Sequence, residues 1–579
     1  MTKEEKTRDN SEEKVKELRK KIKKDKQGGL VEYAERLSEL YAKTHSTKIR
    51  KLRGQFFTPK KVSNFMAGLF EVQNNTVRLL DTGAGTGILT AAFCERLLNN
   101  GKILRLTVDV YENDPDILPF LKEVMESCKT EFERRGHDFE YNIHEKDFIL
   151  QNKRYFMKYK PSHKNEELIL YDFIISNPPY YKLNKDSPQA SIMSGLISGQ
   201  PNIYALFMAL SASMLKPGGE MVFITPRSFC SGLYYKKFRE WFIKNVNLKN
   251  IHIFESRKEI FDKDEILQEN IIIKVEKTKE IQDKILISVS KNKNFDQLKK
   301  IKVKTSDVLY YKNGDVFIRI PTSSIGVEII DIVDEWSETL RSLGLEISTG
   351  PVVTFRANDY LFPELTENPK SVPLLWMHNI KDMKVDWAVK KNKKDSAIKV
   401  CSKTQPLLLP VENYVLIKRF SSKEQDRRLS AAVLLKSEFP YNKVGVENHL
   451  NYIHRPNGKL SVYEAYGISA ILNTTFVDNF FRSLNGSTQV NATEIRSLPF
   501  PEMKDIIKIG KLVRESKSYR NGFKLDSIVA GVLGIDLKVI KNLNGKLHYL
   551  SMSKKINEQM KRATINPPAM QNIPLQTSI

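Results

Sequence analysis

The stretch Asn177-Pro178-Pro179-Tyr180 closes the apolar segment that begins at Phe173, and its residue types suit work on a planar amine. The segment reads as a buried strand, because β-branched and aromatic residues bounded by a breaker fit a sheet covered on both faces. A proline cannot donate to the sheet ladder and holds its own φ, so Asn177 and Tyr180 sit on a stiff corner at the strand's C-terminal edge. Open α/β sheets bind ligands at that edge. The Asn177 side-chain oxygen and the Pro178 carbonyl are two acceptors that can take both hydrogens of one NH₂ group, drawing the nitrogen lone pair out of conjugation. Tyr180 offers a flat ring for the base that carries the amine. Taken alone, a Pro-Pro turn that only ends a strand is an equal alternative.

The elements that must position this corner lie upstream. Val77 to Thr82 is predicted as a strand, Asp81-Thr-Gly-Ala-Gly-Thr-Gly87 as a glycine turn, and Ile88 to Leu98 as a helix. Strand, turn and helix form a nucleotide-binding entry in which missing side chains let a ligand approach the backbone. Gly83, Gly85 and Gly87 are spaced G-x-G-x-G and not G-x-G-x-x-G, which favours a cofactor whose amino-acid end meets the turn over a pyrophosphate. A second strand, Leu106 to Tyr111, ends in Glu112-Asn113-Asp114-Pro115. Glu112, with Asn113 beside it, is placed to take ribose hydroxyls. Asp114 reads as a helix N-cap with Pro115 at the first helical position, the helix running to about Arg134. Tyr141 to His144 is a short third strand, followed by Asp147-Phe148.

Phe57-Thr58-Pro59, the glycine turn and Asn177-Pro-Pro-Tyr180, in that order, resemble the motifs of amino-methyltransferases that use S-adenosyl-L-methionine. The order resembles the gamma class of adenine-specific DNA methyltransferases from restriction-modification systems. The resemblance implies S-adenosyl-L-methionine as cofactor, with Phe57, Thr58 and Pro59 beside its methionine end. Asp81, Gly83, Ala84, Gly85, Glu112 and Asn113 would hold it, Asp147 would accept from its adenine amino group, and Phe148 would pack on that ring. Asn177, Pro178, Pro179 and Tyr180 become the catalytic corner. A second aromatic, expected near the end of the last strand, aligns with Val275, and Phe261 is the alternative.

The implied fold is α/β: a doubly wound, seven-stranded, Rossmann-like S-adenosylmethionine-dependent methyltransferase domain plus a mixed α+β C-terminal target-recognition domain. Further strands are expected at Met221 to Thr225, Ile251 to Phe254 and Asn270 to Val275, with helices at Tyr204 to Leu215 and Tyr234 to Ile243. The expected division is an N-terminal helical arm over 1–46, the catalytic domain over 47–285, a basic connector over 286–342, the recognition domain over 343–555 and a loose tail over 556–579. Helices are read within the arm, the second from Leu30 to Lys43, and over 505–550. Asn152 to Lys164 mixes lysines with Tyr155, Phe156 and Tyr159, which suits a phosphate backbone, and 181–200 reads as a mobile loop over the site. Glu447-Asn-His-Leu450 and Asn485-Gly-Ser-Thr-Gln-Val-Asn491 resemble the C-terminal region of the larger restriction-type enzymes. His449 is read as holding a loop, and Asn485-Gly486 taken alone as a turn.

Composition is consistent with this reading. A chain of 579 residues exceeds one core, and its formal net charge of +24 calls for a polyanionic partner or an acidic membrane surface. No apolar run approaches about 20 residues, and the charged N-terminus lacks a signal-peptide core, so no membrane span and a cytoplasmic protein are expected. Cys94, Cys128, Cys230 and Cys401 have neither zinc-ligand nor disulfide spacing, and methyl transfer from a sulfonium needs no metal. The expected partners are double-stranded DNA and, functionally, a separate restriction endonuclease, with the protein a monomer. Cytosine amines, RNA or a protein glutamine are the rival substrates, and a decayed DNA-binding specificity subunit is the rival of another class.

Overall fold

The computed structural model describes residues 28–45, 47, 50, 53–99, 105–156, 168–196, 199, 202–255, 269–312, 314–387, 394–421, 425–517, 522–536 and 538–543. The chain divides into two compact units, one comprising residues 1–324 with 483–487 and the other 325–482 with 488–579.

The first unit starts from α1 (Leu30–Thr44), whose apolar residues at helical spacing bury Val31, Ala34, Leu37 and Tyr41, and α2 (Lys60–Gly68). Then follow β1 (Thr76–Asp81), α3 (Ile88–Asn99), β2 (Arg105–Tyr111), α4 (Leu118–Arg134), β3 (Asp138–His144), α5 (Phe148–Gln151) and β4 (Tyr171–Ser176). Next come α6 (Tyr204–Met214), β5 (Leu215–Pro226), α7 (Lys236–Asn245), β6 (Asn247–Phe254), β7 (Asn270–Glu276), β8 (Lys284–Ser290) and β9 (Lys299–Lys304). These strands form one sheet in the order β3-β2-β1-β4-β5-β7-β6-β8-β9. The protein is thus α/β and doubly wound, with β1 parallel to both β2 and β4 and β7 antiparallel to its two neighbours. Strand order reverses between β1 and β4, which opens a crevice at their C-terminal ends. Ile174 and Ile175 of β4 are fully buried, and each such burial is worth roughly 1.5–3 kcal/mol.

Several expectations need correction. The sheet has two strands more than seven. The added strands fall mostly in the stretch read as a basic connector: Lys284–Ser290 is largely buried between β6 and β9, and Lys299–Lys304 alternates inward Ile301 and Val303 with outward lysines, the pattern of a half-buried edge strand. Asp114 makes the bonds of a cap, Oδ1 accepting from Asp116 N–H at 3.1 Å and its carbonyl from Leu118 N–H at 3.3 Å, but regular α4 starts only at Leu118 after a turn, and Oδ2 faces α1 and the Gln55 segment. Val275 cannot face the crevice. It is fully buried against Met221, and because β7 runs antiparallel to β5 it lies at the end of the strand away from the crevice, which Asn270 faces. Phe261, residues 1–27, most of the basic loop at 157–164 and the tail 556–579 lie outside the described residues. No helix among the described residues is long and apolar enough to cross a membrane.

Unit one ends with a hairpin, β10 (Leu309–Lys312) and β11 (Asp315–Ile318). Unit two holds β12 (Glu346–Thr349), β13 (Leu361–Phe362), β14 (Ser371–Leu375), β15 (Ile380–Lys381), β16 (Lys384–Val385) and β17 (Ala397–Lys399). It continues with β18 (Leu408–Pro410), β19 (Tyr414–Lys418), β20 (Ala431–Leu434), β21 (Lys443–Val446) and β22 (Leu450–His454). They make a six-stranded sheet, β12-β22-β19-β20-β16-β15, and a five-stranded one, β13-β17-β14-β21-β18. Leu375, Leu416, Val444, Val446 and Leu450 share one core, and Val352, Leu374 and Ile398 another. Helices at Val462–Leu472, Met503–Ser516 and Gly522–Leu533 complete a mixed α+β unit.

Candidate active site

The crevice holds a cavity of about 440 Å³. Of the residues singled out from the sequence, Phe57, Thr58, Gly83, Ala84, Gly85, Glu112, Asn113, Asp147, Phe148, Asn177 and Pro179 line it, while Pro59, Asp81, Pro178 and Tyr180 stand outside its lining. Pro59 instead occupies the N-cap of α2, with extended backbone. Residues not singled out also line the cavity, among them Tyr181, Phe207 and Asp114. Phe56 does as well, and its signal was its place in the aromatic pair beside Thr58.

The glycine turn is fixed from β2. Ala84 N–H donates to the Tyr111 carbonyl at 2.9 Å, and Gly85 N–H to a Glu112 carboxylate oxygen at 2.9 Å. The other Glu112 oxygen accepts from Asp114 N–H at 2.8 Å. Burial pushes the Glu112 carboxyl up to about 7, against these two bonds. Asp81 is fully buried behind the turn, where burial likewise raises it to about 7 although Thr90 donates to it at 3.0 Å. Asp81 therefore braces the turn from beneath.

Asp114 ties the turn after β2 to the N-terminal segments. Its Oδ2 accepts from Tyr41 O–H at 3.1 Å, Gln55 Nε2 at 2.6 Å and Arg53. Those donors hold its carboxyl below the ordinary range despite burial. Asp147 caps α5 through Leu150 N–H at 2.8 Å, and its second oxygen accepts from Gln189 Nε2 at 2.9 Å. Phe148 is buried between Tyr111 and Phe207, both at 5.1 Å between ring centroids.

At the Pro-Pro corner the Asn177 amide has one orientation. Its Nδ2 donates to the Phe56 carbonyl at 2.7 Å and to Thr58 Oγ1 at 3.1 Å. Oδ1 consequently faces the other way, where Tyr180 O–H lies 2.7 Å from it and 2.8 Å from the Ile224 carbonyl. The one hydroxyl hydrogen lies between those acceptors, so Oδ1 keeps a lone pair for a further donor. Tyr180 is buried, stacks on Phe56 at 5.7 Å and 27°, and its hydroxyl is pushed far up by burial, so it stays neutral. Tyr180 N–H also donates to the Gly54 carbonyl at 3.3 Å. Gly54 has φ +67°, and a Cβ there would lie 2.7 Å from that same nitrogen, so only glycine fits. The segment 53–59 is thereby strapped onto the Pro-Pro corner.

A turn of N–H groups, a carboxylate able to accept from hydroxyls, an aromatic wall and a fixed amide oxygen would suit a nucleoside cofactor at one end and a planar amine at the other. Among the described residues no group of three His, Cys, Asp or Glu could hold a metal.

The family described as Eco57I restriction-modification methylase matches residues 88–261. The type II methyltransferase M.BsuBI of Bacillus subtilis is 36% identical over 475 residues, 82% of this chain and 92% of its own. The type II methyltransferase M.PstI of Providencia stuartii is 34% identical over 470 residues, covering 80% of this chain and 90% of its own. M.AccI of Acinetobacter calcoaceticus, also a type II methyltransferase, is 27% identical over 240 residues, 40% of this chain and 38% of its own. At 36% identity over an alignment that spans 82% of this chain and 92% of the relative, the protein belongs to the type II restriction-modification methyltransferases.

Proposed function

We propose that the protein transfers the methyl group of S-adenosyl-L-methionine to the exocyclic amino group of an adenine in duplex DNA, protecting host DNA from a separate restriction endonuclease. The observation that carries this reading is the Asn177 amide, held by Phe56 and Thr58 so that Oδ1, beside the Tyr180 hydroxyl, keeps a lone pair for a further donor, on a corner beside the glycine-turn cavity. The cofactor would bring an activated methyl group on a positively charged sulfur. Glu112 would accept the ribose hydroxyls, and Phe57, Gly83 and Gly85 would face the amino-acid end. Phe148 and Asp147 would meet the adenine ring, Asp147 giving up its Gln189 contact to do so.

An amine inside a base stack cannot reach that cavity, so the adenine must be flipped out. The amino hydrogens then go to Asn177 Oδ1 and the Pro178 carbonyl, and the stacked rings of Tyr180 and Phe56 wall the base. The cofactor would supply a methyl group on a sulfur that departs neutral, and the corner's part would be to aim the nitrogen lone pair at that carbon and leave the surplus proton on nitrogen a way to solvent. Rate comes from alignment and oriented dipoles, with no imidazole required.

The test incubates purified protein with methyl-labelled S-adenosyl-L-methionine and unmethylated duplex DNA of many sequences, followed by digestion to nucleosides. Label in N6-methyladenine confined to one short sequence supports the reading. Label in cytosine, RNA or protein, with adenine untouched, overturns it.

A further inference from the structure

In unit two, four segments meet at one rim: the exit of β12, the end of β19, the turn between β21 and β22, and residues 488–491. Backbone bonds tie them together. Val352 N–H donates to the Val446 carbonyl at 3.0 Å, Asn448 N–H to Val352 at 2.9 Å, Arg419 N–H to His449 at 2.9 Å and Val490 N–H to Arg419 at 2.7 Å. These bonds tie the backbone of the rim together, and the Arg419 guanidinium adds one to the Asn448 carbonyl at 3.1 Å.

Two features stand on this rim. Phe355 is 77% exposed, and the Arg356 guanidinium lies 5.4 Å from its ring centroid. Glu447 is fully buried, and its carboxylate accepts from His449 N–H at 2.9 Å and pairs with His449 Nδ1. Phe420 sits edge-on to the imidazole at 4.8 Å. The ring is thus fixed on two sides while the side chain stays 42% exposed. Nδ1 is engaged, so Nε2, on the opposite side of the ring, is the polar atom left to face outward. Burying a carboxylate is costly unless a partner satisfies it, and here it serves to orient one half-exposed imidazole.

We infer that this rim reads base edges in the DNA target, with His449 Nε2 and the Arg356 guanidinium as polar contacts and Phe355 as an apolar contact to a thymine methyl or a base step. The inference rests on the proposed DNA methylation. Two observations favour base edges over phosphates, which need no fixed orientation: the imidazole is rigidly aimed, and an exposed phenylalanine stands beside the Arg356 guanidinium. The chain's net charge of +24 supplies the general attraction to DNA. Glu447 acts as a positioning residue for His449.

The test uses the full-length protein on a random-sequence duplex library, with methylated sites identified by sequencing, alongside DNA affinity at several salt concentrations and cofactor affinity. Variants are Phe355→Ala and Arg356→Ala, whose exposed side chains can be removed without threatening the fold, and His449→Gln. The expected result is relaxed preference at one or more positions of the methylated sequence, with discrimination falling on the order of tenfold and cofactor affinity unchanged. Loss of affinity that is equal for all sequences, with a salt dependence shallower by about one charge, would place these side chains on phosphates and overturn the base-reading assignment. An unchanged sequence preference and affinity in all three variants would overturn it too. Failure of the unaltered protein to methylate any DNA would defeat the underlying function and is read separately.

Discussion

The Asn177 amide nitrogen donates to the Phe56 carbonyl at 2.7 Å, so the orientation of this amide is set by a segment 121 residues earlier in the chain. Removing the Asn177 side chain tests the assignment most directly. Asn177→Ala should abolish methyl transfer and leave S-adenosyl-L-methionine affinity within about twofold, because the lost oxygen faces the amine and not the glycine turn. Titration calorimetry alongside single-turnover assays separates the two, and equal loss of both would contradict the role.

Thr58→Val deletes one of the two acceptors that orient the amide while keeping the side chain's shape. A neutral hydrogen bond is worth about 0.5–1.5 kcal/mol, so transfer should slow by roughly twofold to tenfold with cofactor affinity unchanged. Thr58→Ser should restore the rate. If serine does not, the hydroxyl is not the operative group.

Gly54→Ala places a methyl group against the Tyr180 amide and forces a side chain into positive φ. Strain of about 1–3 kcal/mol is expected, shared between lower thermal stability and a displaced corner. Both a depressed melting temperature and a reduced transfer rate should be seen, and an alanine variant with unaltered rate would show the strap to be dispensable.

Glu112 should give cofactor binding a pH dependence. Burial raises its carboxyl to about 7, and the form that accepts ribose hydroxyls is the carboxylate. Affinity should therefore weaken as pH falls below about 7, approaching tenfold per unit, and Glu112→Gln should bind more weakly with a flat profile. Calorimetry across that range checks the slope.

His252 governs a different property. It is buried between the Ser288 and Ser290 hydroxyls, and desolvation lowers it from 6.5 to about 3. The unfolded chain thus takes up the proton first on acidification. The neutral ring's contribution is complete above 6.5 and is lost as pH falls from there towards about 3. About 2 kcal/mol should go within the first 1.5 units or so. Denaturant unfolding at pH values on either side of 6.5 measures it, and His252→Phe should remove that part of the slope.

The Pro-Pro corner and the glycine turn were legible as local structure because both lean on residues with unusual backbone preferences, which leave a local signature. The capping bonds of Asp114 were legible because Asp-Pro at the start of a helical pattern is a strong local signal, but the role of its second oxygen was not. What recruits its carboxylate, Tyr41, Gln55 and Arg53, comes from distant segments. β9 was missed for a similar reason: four lysines in six residues hide the alternation of Ile301 and Val303. His449 was read as holding its loop, and only the folded structure shows a buried carboxylate behind it.

Residues 483–487 belong to the first unit although the chain on either side belongs to the second. Ile320 N–H donates to the Ser483 carbonyl at 2.9 Å, and a Cβ on Gly486 would lie 2.2 Å from a Glu269 carboxylate oxygen and 2.4 Å from Arg227. A hybrid enzyme made by splicing in a relative's C-terminal half at one junction would therefore also replace a piece of its own catalytic half. Exchange of specificity between relatives needs joints on both sides of that short return, with Ser483 to Ser487 kept from the parent that supplies Arg227 and Glu269.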